Sequence, residues 1–191
     1  MATRYAAPFA PQGSEPVDHE IARKLLTIAL SKGGSYADLF FEYSASGSYS
    51  YDEGILKSAG RAVTLGLGVR VMKGDATGYA YVEDLSYEAM SRAAQTAANI
   101  ASGSSKWLAP QFVTPTFSSR YDIRELSLDK PGVDKRALLQ RADERARALD
   151  KRIIRVDASL SEEIRDVLIA SSEGKFVYDS QPIIRFGVRV I

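Results

Sequence analysis

Gly68-Val69-Arg70-Val71-Met72 returns as Gly187-Val188-Arg189-Val190-Ile191, and there the chain of 191 residues stops. Two more landmarks recur in the same order. Glu53-Gly54 precedes Gly68 by 14 residues (54 to 68), and Glu173-Gly174 precedes Gly187 by 13 (174 to 187). Upstream of each lies an amphipathic segment opened by an aspartate, Asp18 or Asp134. A five-residue echo of common strand residues is weak alone, but several landmarks recurring in order mark a duplicated supersecondary unit. In the first copy the strand runs on through Lys73-Gly74-Asp75-Ala76-Thr77-Gly78-Tyr79, a turn and a partner strand. In the second copy that continuation is missing. The expectation is one complete unit and one cut short, so that a longer protein's activity needs residues outside this sequence.

Hydrophobic periodicity fills in both units. A helix over 18–32 is capped by Asp18, carries Glu20 in its first turn and leaves through Gly33-Gly34, with Ile21, Leu25, Ile28 and Ala29 inward. Alternation over 36–45 predicts a half-buried strand, and 47–51 its hairpin partner. The clearest strand is 62–72, with Val63, Leu65, Leu67, Val69 and Val71 on one face and Thr64, Gly66, Gly68 and Arg70 on the other. Gly74-Asp75 turns the chain into 77–83. A helix from Ser86 then places Met90, Ala93, Ala94, Ala97 and Ala101 on one face, small enough for close packing on a sheet.

The second unit opens with a helix over 134–150 that buries Leu138, Leu139, Ala142, Ala146 and Leu149. Lys135, Arg136, Arg141, Arg145 and Arg147, interleaved with Asp143 and Glu144, form its solvated face. Strands are predicted at 152–160, 164–171, 175–179 and 183–191. Between the units, 103–132 holds three prolines and reads as an extended crossover, packed back through Trp107, Leu108, Phe112, Phe117 and Tyr121. The expected fold class is α+β with mostly antiparallel sheet, built from two repeated helix-plus-strands units, the second truncated. Its parts are a flexible arm (1–17), the first unit (18–102), the linker (103–132) and the incomplete second unit (133–191).

Several chemistries are excluded or weakened. Lysine and arginine number 25 against 24 acids, a net charge of +1, which gives no long-range field for nucleic acid or an acidic membrane. There is no cysteine, so thiolate catalysis and cysteine-ligated metals are absent. The one histidine, His19, is followed by Glu20 as in HExxH, but the positions four and five further on are Arg23 and Lys24. Two cations there leave His19 a first-turn surface residue, and no ordinary zinc site can be assembled. No Gly-x-Ser-x-Gly elbow occurs, and Gly66-Leu67-Gly68 lacks the rest of a dinucleotide fingerprint. Asp52-Glu53 and Glu162-Glu163 are expected to flank turns, in water. Residues 1–16 lack a signal-peptide core and no segment has about 20 apolar residues in a row, so the expectation is a cytoplasmic protein without nucleic-acid or membrane partners.

What remains is a surface. Gly66 and Gly68 leave one strand face open to another backbone, Arg70 beside them can fork onto a carboxylate, and Tyr49 and Tyr51 belong to a polar–aromatic strand suited to a peptide. With Glu53 these six are the candidate substrate-binding residues. The plainer expectation, and the preferred one, is a helix packed on the glycine face.

The same residues carry a resemblance. The run from Tyr36-Ala37-Asp38-Leu39-Phe40-Phe41, through Asp52-Glu53-Gly54-Ile55-Leu56-Lys57, to Gly66-Leu67-Gly68-Val69-Arg70-Val71 resembles the TldD/PmbA family. Gly74-Asp75-Ala76-Thr77-Gly78-Tyr79-Ala80-Tyr81 and the alanine-rich helix after it extend the likeness, as do Ala158-Ser159-Leu160-Ser161 and Val167-Leu168-Ile169-Ala170. It spans residues 18–191, and its details are closer to the TldD half than to PmbA (TldE). The resemblance implies the N-terminal region of a cytosolic zinc metallopeptidase that works with a PmbA/TldE-type partner subunit on unfolded peptides, a family also called modulator of DNA gyrase. It implies zinc in an HExxxH helix of the C-terminal part. No position here matches that motif, so the expectation is a segment without catalytic residues or metal, inactive alone. The alternative is a non-catalytic peptide-binding or assembly module acting through its sheet edges. A gyrase-binding regulator ranks third, and near-neutral charge gives it no help.

Overall fold

The computed structural model describes residues 5–102, 111–115, 121, 123 and 125–191. In chain order these form α1 (His19–Leu30), β1 (Tyr36–Asp52), β2 (Ile55–Lys73), β3 (Ala76–Val82), α2 (Tyr87–Ile100), a 3-10 turn (Ser127–Asp129), α3 (Gly132–Leu149), β4 (Val156–Ser171) and β5 (Phe176–Val190). The strands make one sheet in the order β3-β2-β1-β4-β5, antiparallel at every pairing. The fold is α+β, as the pattern predicts.

The strands are fewer and longer than expected. In β1 the odd-numbered residues from Ala37 to Tyr51 are buried without interruption, straight through Gly47. Side chains alternate strictly in a strand, so no turn separates 36–45 from 47–51, and the expected hairpin there is half of one strand. The chain instead reverses at Glu53 and Gly54, both with positive φ (51° and 76°). β4 likewise runs through 161–163, where Glu162, in a buried row that also holds Asp166, hides the period. β5 runs through Pro182, which an edge strand tolerates. The four strands expected in this half are therefore two.

The two long hairpins have matching registers. Gly68 lies opposite Phe40 and Arg70 opposite Asp38; Gly187 lies opposite Ser159 and Arg189 opposite Asp157. In the first hairpin the pairing steps from Ser50–Ser58 to Tyr51–Leu56, leaving Lys57 as an extra residue in β2. That bulge accounts for the spacing of 14 residues there against 13 in the second hairpin.

All three helices lie on the face that carries the odd residues of β1. At one end α1 and α2 cover Leu39, Phe41, Leu67, Val69, Val71 and Leu168, all fully buried. Asp18 caps α1 by accepting from the Ile21 amide (2.8 Å). The inward residues of α1 are Ala22, Leu25, Leu26, Ala29 and Leu30, a stripe rotated from the expected one so that Ile21 and Ile28 lie at its margin. Gly78 lets α2 touch the sheet, since a Cβ there would run into the Ala97 carbonyl. Residues 5–17, expected to form a flexible arm, instead enter this core. Phe9 packs on Phe41 with centroids 5.5 Å apart, and the Ala7 amide donates to buried Asp166 (3.0 Å). The prolines of this segment punctuate turns; they do not keep it in water.

At the other end α3 covers Tyr49, Tyr51, Ala158 and Leu160 with Leu139. Its orientation departs from the pattern. Leu138 and Leu149 are 37% and 82% exposed, while Lys135 and Asp143 are buried. In the crossover, Val113 bridges Lys175 in parallel and Leu128 is buried; Trp107, Leu108 and Phe117 lie outside the described residues. Among the described residues no helix is long and apolar enough to cross a membrane.

Candidate functional site

Period-2 alternation turns Gly66, Gly68 and Arg70 away from the helices, onto the open face of the sheet. Among the described residues no helix packs there, contrary to the preferred expectation, because the helices take the face with Leu67, Val69 and Val71. The rings of Tyr79 and Tyr81 on β3 lie over the glycines instead. A Cβ on Gly66 would stand 2.5 Å from the Tyr81 ring, and one on Gly68 2.8 Å from the Tyr79 hydroxyl. Aromatics on a neighbouring strand commonly cover strand glycines in this way. Both rings stay more than half exposed. With Phe40, Glu42, Thr64 and Gly66 they line an open cleft of about 200 Å³.

Arg70 is engaged within the chain. Its Nε donates to Asp38 Oδ2 at 3.0 Å, a second donor reaches the same oxygen, and the guanidinium lies 6.0 Å from the Tyr36 ring centroid. The hydrogen bond and charge of Asp38 raise its pKa further. A substrate carboxylate would therefore have to compete with Asp38.

The other three candidates are elsewhere. Tyr49 and Tyr51 point to the opposite face and are buried beneath α3, with the Tyr51 hydroxyl donating to the Gly54 carbonyl (2.8 Å). Glu53 sits in the hairpin turn, paired with Lys57 at 3.2 Å. The six residues thus divide among open face, helix face and turn. Reading the alternation through Gly47 would have placed Tyr49 on the side of Phe41. The residues that complete the cleft (Phe40, Glu42, Tyr79 and Tyr81) had a signal too: two tyrosines two places apart in the strand paired with the glycines.

A second polar cluster lies under α3. The Lys135 ammonium pairs with Glu162, the Ser127 hydroxyl donates to the same carboxylate, and the Tyr49 ring centroid is 5.2 Å from Lys135 Nζ. Lys135 and Glu162 are 4% and 2% exposed. Gly47 provides the room, since a Cβ there would stand 2.7 Å from Glu162 Oε1. Lys135 was expected on a solvated face and Glu162 beside a turn; their mutual pairing is what permits burial of both charges. Glu163 points to the open face and accepts from Ser44 (2.8 Å). Asp166, also buried, accepts from the Ser180 hydroxyl as well as from Ala7. Burial first, and then the Asp166 charge, push the nearby Tyr178 phenol well above its ordinary range.

The described side chains do not assemble a donor set for a zinc ion. His19 Nε2 is 3.1 Å from Thr114 Oγ1, and its ring lies between Phe112 and Phe176 at centroid distances of 5.4 and 4.4 Å. Among the described residues no group of three or more histidine, aspartate or glutamate side chains is placed to hold a metal.

Comparison with known proteins places this architecture. Residues 37–101 match the model of PmbA/TldA metallopeptidase domain 1, and residues 125–191 match that of the PmbA/TldA metallopeptidase central domain. A Metalloprotease TldD homolog of Buchnera aphidicola (from Acyrthosiphon pisum) is 32% identical over 160 residues, 82% of this chain and 32% of that protein. Its counterpart from Haemophilus influenzae is 30% identical over 162 residues, again 82% of this chain and 33% of its own length. The chain thus spans about a third of these relatives. Among solved structures, a modulator of DNA gyrase from Bacteroides thetaiotaomicron superposes with a TM-score of 0.70 at 16% identity, over 90% of this chain and 40% of that one. TldE from Thermococcus kodakarensis gives 0.59 at 19% identity, over 88% of this chain and 43% of its own. At such identities these two likenesses concern the fold.

Proposed function

The chain belongs to the PmbA/TldD metallopeptidase family as its N-terminal region, and from that premise we propose that it shapes the peptide route and subunit interface of a TldD-type zinc peptidase. The observation that carries this reading is the succession of the two family domains along one chain, with the relatives named as metalloproteases extending well beyond it. The zinc is held elsewhere in the longer polypeptide, since the donor set here does not fit one. The TldE neighbour supports a PmbA/TldE-type partner, and the unfolded cytoplasmic peptide taken as substrate in this reading comes from the family resemblance.

The peptide-facing surface in this proposal is the open-face cleft. It keeps Gly66 and Gly68 from the sequence reading, adds Glu42, Tyr79 and Tyr81, and has Arg70 beside it on the same face. The half-exposed rings of Tyr79 and Tyr81, lying over the glycines beside Phe40 and Glu42, offer an extended peptide stacking area.

The two hairpins are, in the same proposal, copies of one unit. A shift of 119 places carries Gly68 to Gly187 and its partner Phe40 to Ser159, and it carries the Asp38–Arg70 pair to Asp157–Arg189. It also carries the apolar row Leu67, Val69, Val71 to Phe186, Val188, Val190.

The test uses the longer polypeptide with its partner subunit. Tyr79→Ala together with Tyr81→Ala is expected to lower turnover of an unfolded peptide several-fold while zinc content and Tm hold. The 191-residue chain alone is expected to retain no stoichiometric zinc and to cleave nothing. One tightly held zinc per 191-residue chain, or unchanged turnover in the double variant, would overturn the reading.

A further inference from the structure

One hairpin is sealed and the other is bare. On the helix side of β2, Leu67, Val69 and Val71 are fully buried, and β3 pairs with the strand's outer edge. At the matching places of β5, Phe186, Val188 and Val190 are 43%, 44% and 50% exposed, and no described strand pairs with its outer edge. α3 is equally one-sided. Leu138 and Leu149, eleven places and so about three turns apart, share an exposed flank, whereas α1 packs against α2. An apolar row beside an open backbone edge is a liability that folded proteins cover.

We infer that β5 and the exposed flank of α3 form a docking surface for one antiparallel strand followed by one amphipathic helix, supplied in cis by the same polypeptide beyond Ile191. This rests on the reading of the hairpins as copies, which fixes the occupant's character: it is the counterpart of β3 and α2. Its helix presents a small apolar face, like Met90, Ala93, Ala94 and Ala97, so that it can lie flat on Phe186, Val188 and Val190. A glycine stands where helix and strand cross, as Gly78 does beneath Ala97. On the open face, Arg189 already faces Asp157, while Arg185 has no ion pair among the described residues. The incoming strand therefore carries an aromatic residue opposite Arg189, as Tyr79 stands opposite Arg70, and an acidic or aromatic one near Arg185. A second copy of this chain is the poorer occupant. Antiparallel pairing of β5 with itself about Gly187 would set Arg185 against Arg189, and like charges directly opposite are destabilising.

Hydrogen exchange on the 191-residue chain and on the longer polypeptide tests this, read at the β5 amides not bonded to β4. The expected result is at least 100-fold slower exchange in the longer polypeptide, independent of protein concentration. Phe186→Asp should abolish that protection there and leave the 191-residue chain's exchange unchanged. Equal exchange in both proteins would overturn the inference. So would protection of the 191-residue chain that rises with its own concentration, which would identify a second copy. Peptidase turnover measured on the same longer sample separates the two readings, because an active enzyme with an open β5 edge sinks the docking surface and leaves the proposed function standing.

Discussion

The two ends of the sheet are closed by different means. Under α1 and α2 the contact is largely apolar, from Phe9 and Phe41 to Val71 and Leu168, with the buried Asp166 held by the Ala7 amide and the Ser180 hydroxyl. Under α3 the apolar cluster is small, and the helix is anchored by a buried Lys135–Glu162 pair roofed by Ser127 and Tyr49. Two helices side by side exclude water from a sheet end by area alone. A single helix leaves flanks open, and a directional contact then fixes its position at a cost in desolvation.

The sharpest way to break this comparison is to remove one partner of the pair. Lys135→Met leaves Glu162 buried without a counter-charge and is expected to cost about 3–5 kcal/mol in urea unfolding. Adding Glu162→Leu should recover most of that loss. A near-neutral single variant would show that α3 is held by its apolar contacts after all. Gly78→Ala at the sealed end pushes a methyl into the Ala97 carbonyl and should cost about 1–3 kcal/mol. Gly60→Ala, in the part of β2 toward the α3 end, meets nothing nearer than Ser48 Oγ at 3.7 Å and should be neutral or stabilise by up to about 1 kcal/mol. Similar costs for the two glycines would remove the packing argument.

Asp38→Asn on the open face should cost only about 0.2–1 kcal/mol, because the Arg70 side chain is 49% exposed. The same change frees Arg70 and should tighten binding of a peptide carboxylate if the cleft is used. The smallest effect at neutral pH concerns Tyr178. Its folded pKa is raised by burial and by Asp166, so the neutral phenol is favoured in the fold. That contribution is fully present below the unfolded value of about 10 and is lost as pH rises above it. Alkaline titration of stability should fall beyond that point, and Tyr178→Phe should make the fall shallower. An unchanged slope would show that ionisation of Tyr178 is not coupled to folding.

Much of the architecture was legible because local signals agreed. Asp18 caps the helix it is expected to cap, the helix expected from Ser86 begins there, and Gly54, Gly74 and Gly174 take the left-handed conformations that mark their turns. The errors share one physical source, a tertiary partner distant in sequence. Small or charged residues in mid-strand, Gly47 and Glu162, look like punctuation when a tertiary partner is unknown, so β1 and β4 were each divided. With β1 divided, Tyr49 and Tyr51 lose their alternation with Phe41, and two of the six candidate residues are assigned to the wrong face. Lys135 failed for the same reason, because a buried ion pair between a helix and a strand 27 residues away leaves no periodic trace. The glycines were correctly seen as a place of close approach, but what approaches, the rings of Tyr79 and Tyr81, depends on the register of β2 with β3.

The central claim is that equivalent rows of β2 and β5 differ in cover, and paired truncations in the 191-residue chain test it most directly. Leu67→Ala removes a fully buried side chain and should cost about 2–5 kcal/mol. Phe186→Ala removes a larger side chain but one that is 43% exposed, and is expected to cost less than half as much. Equal losses of unfolding free energy from the two substitutions would contradict the account.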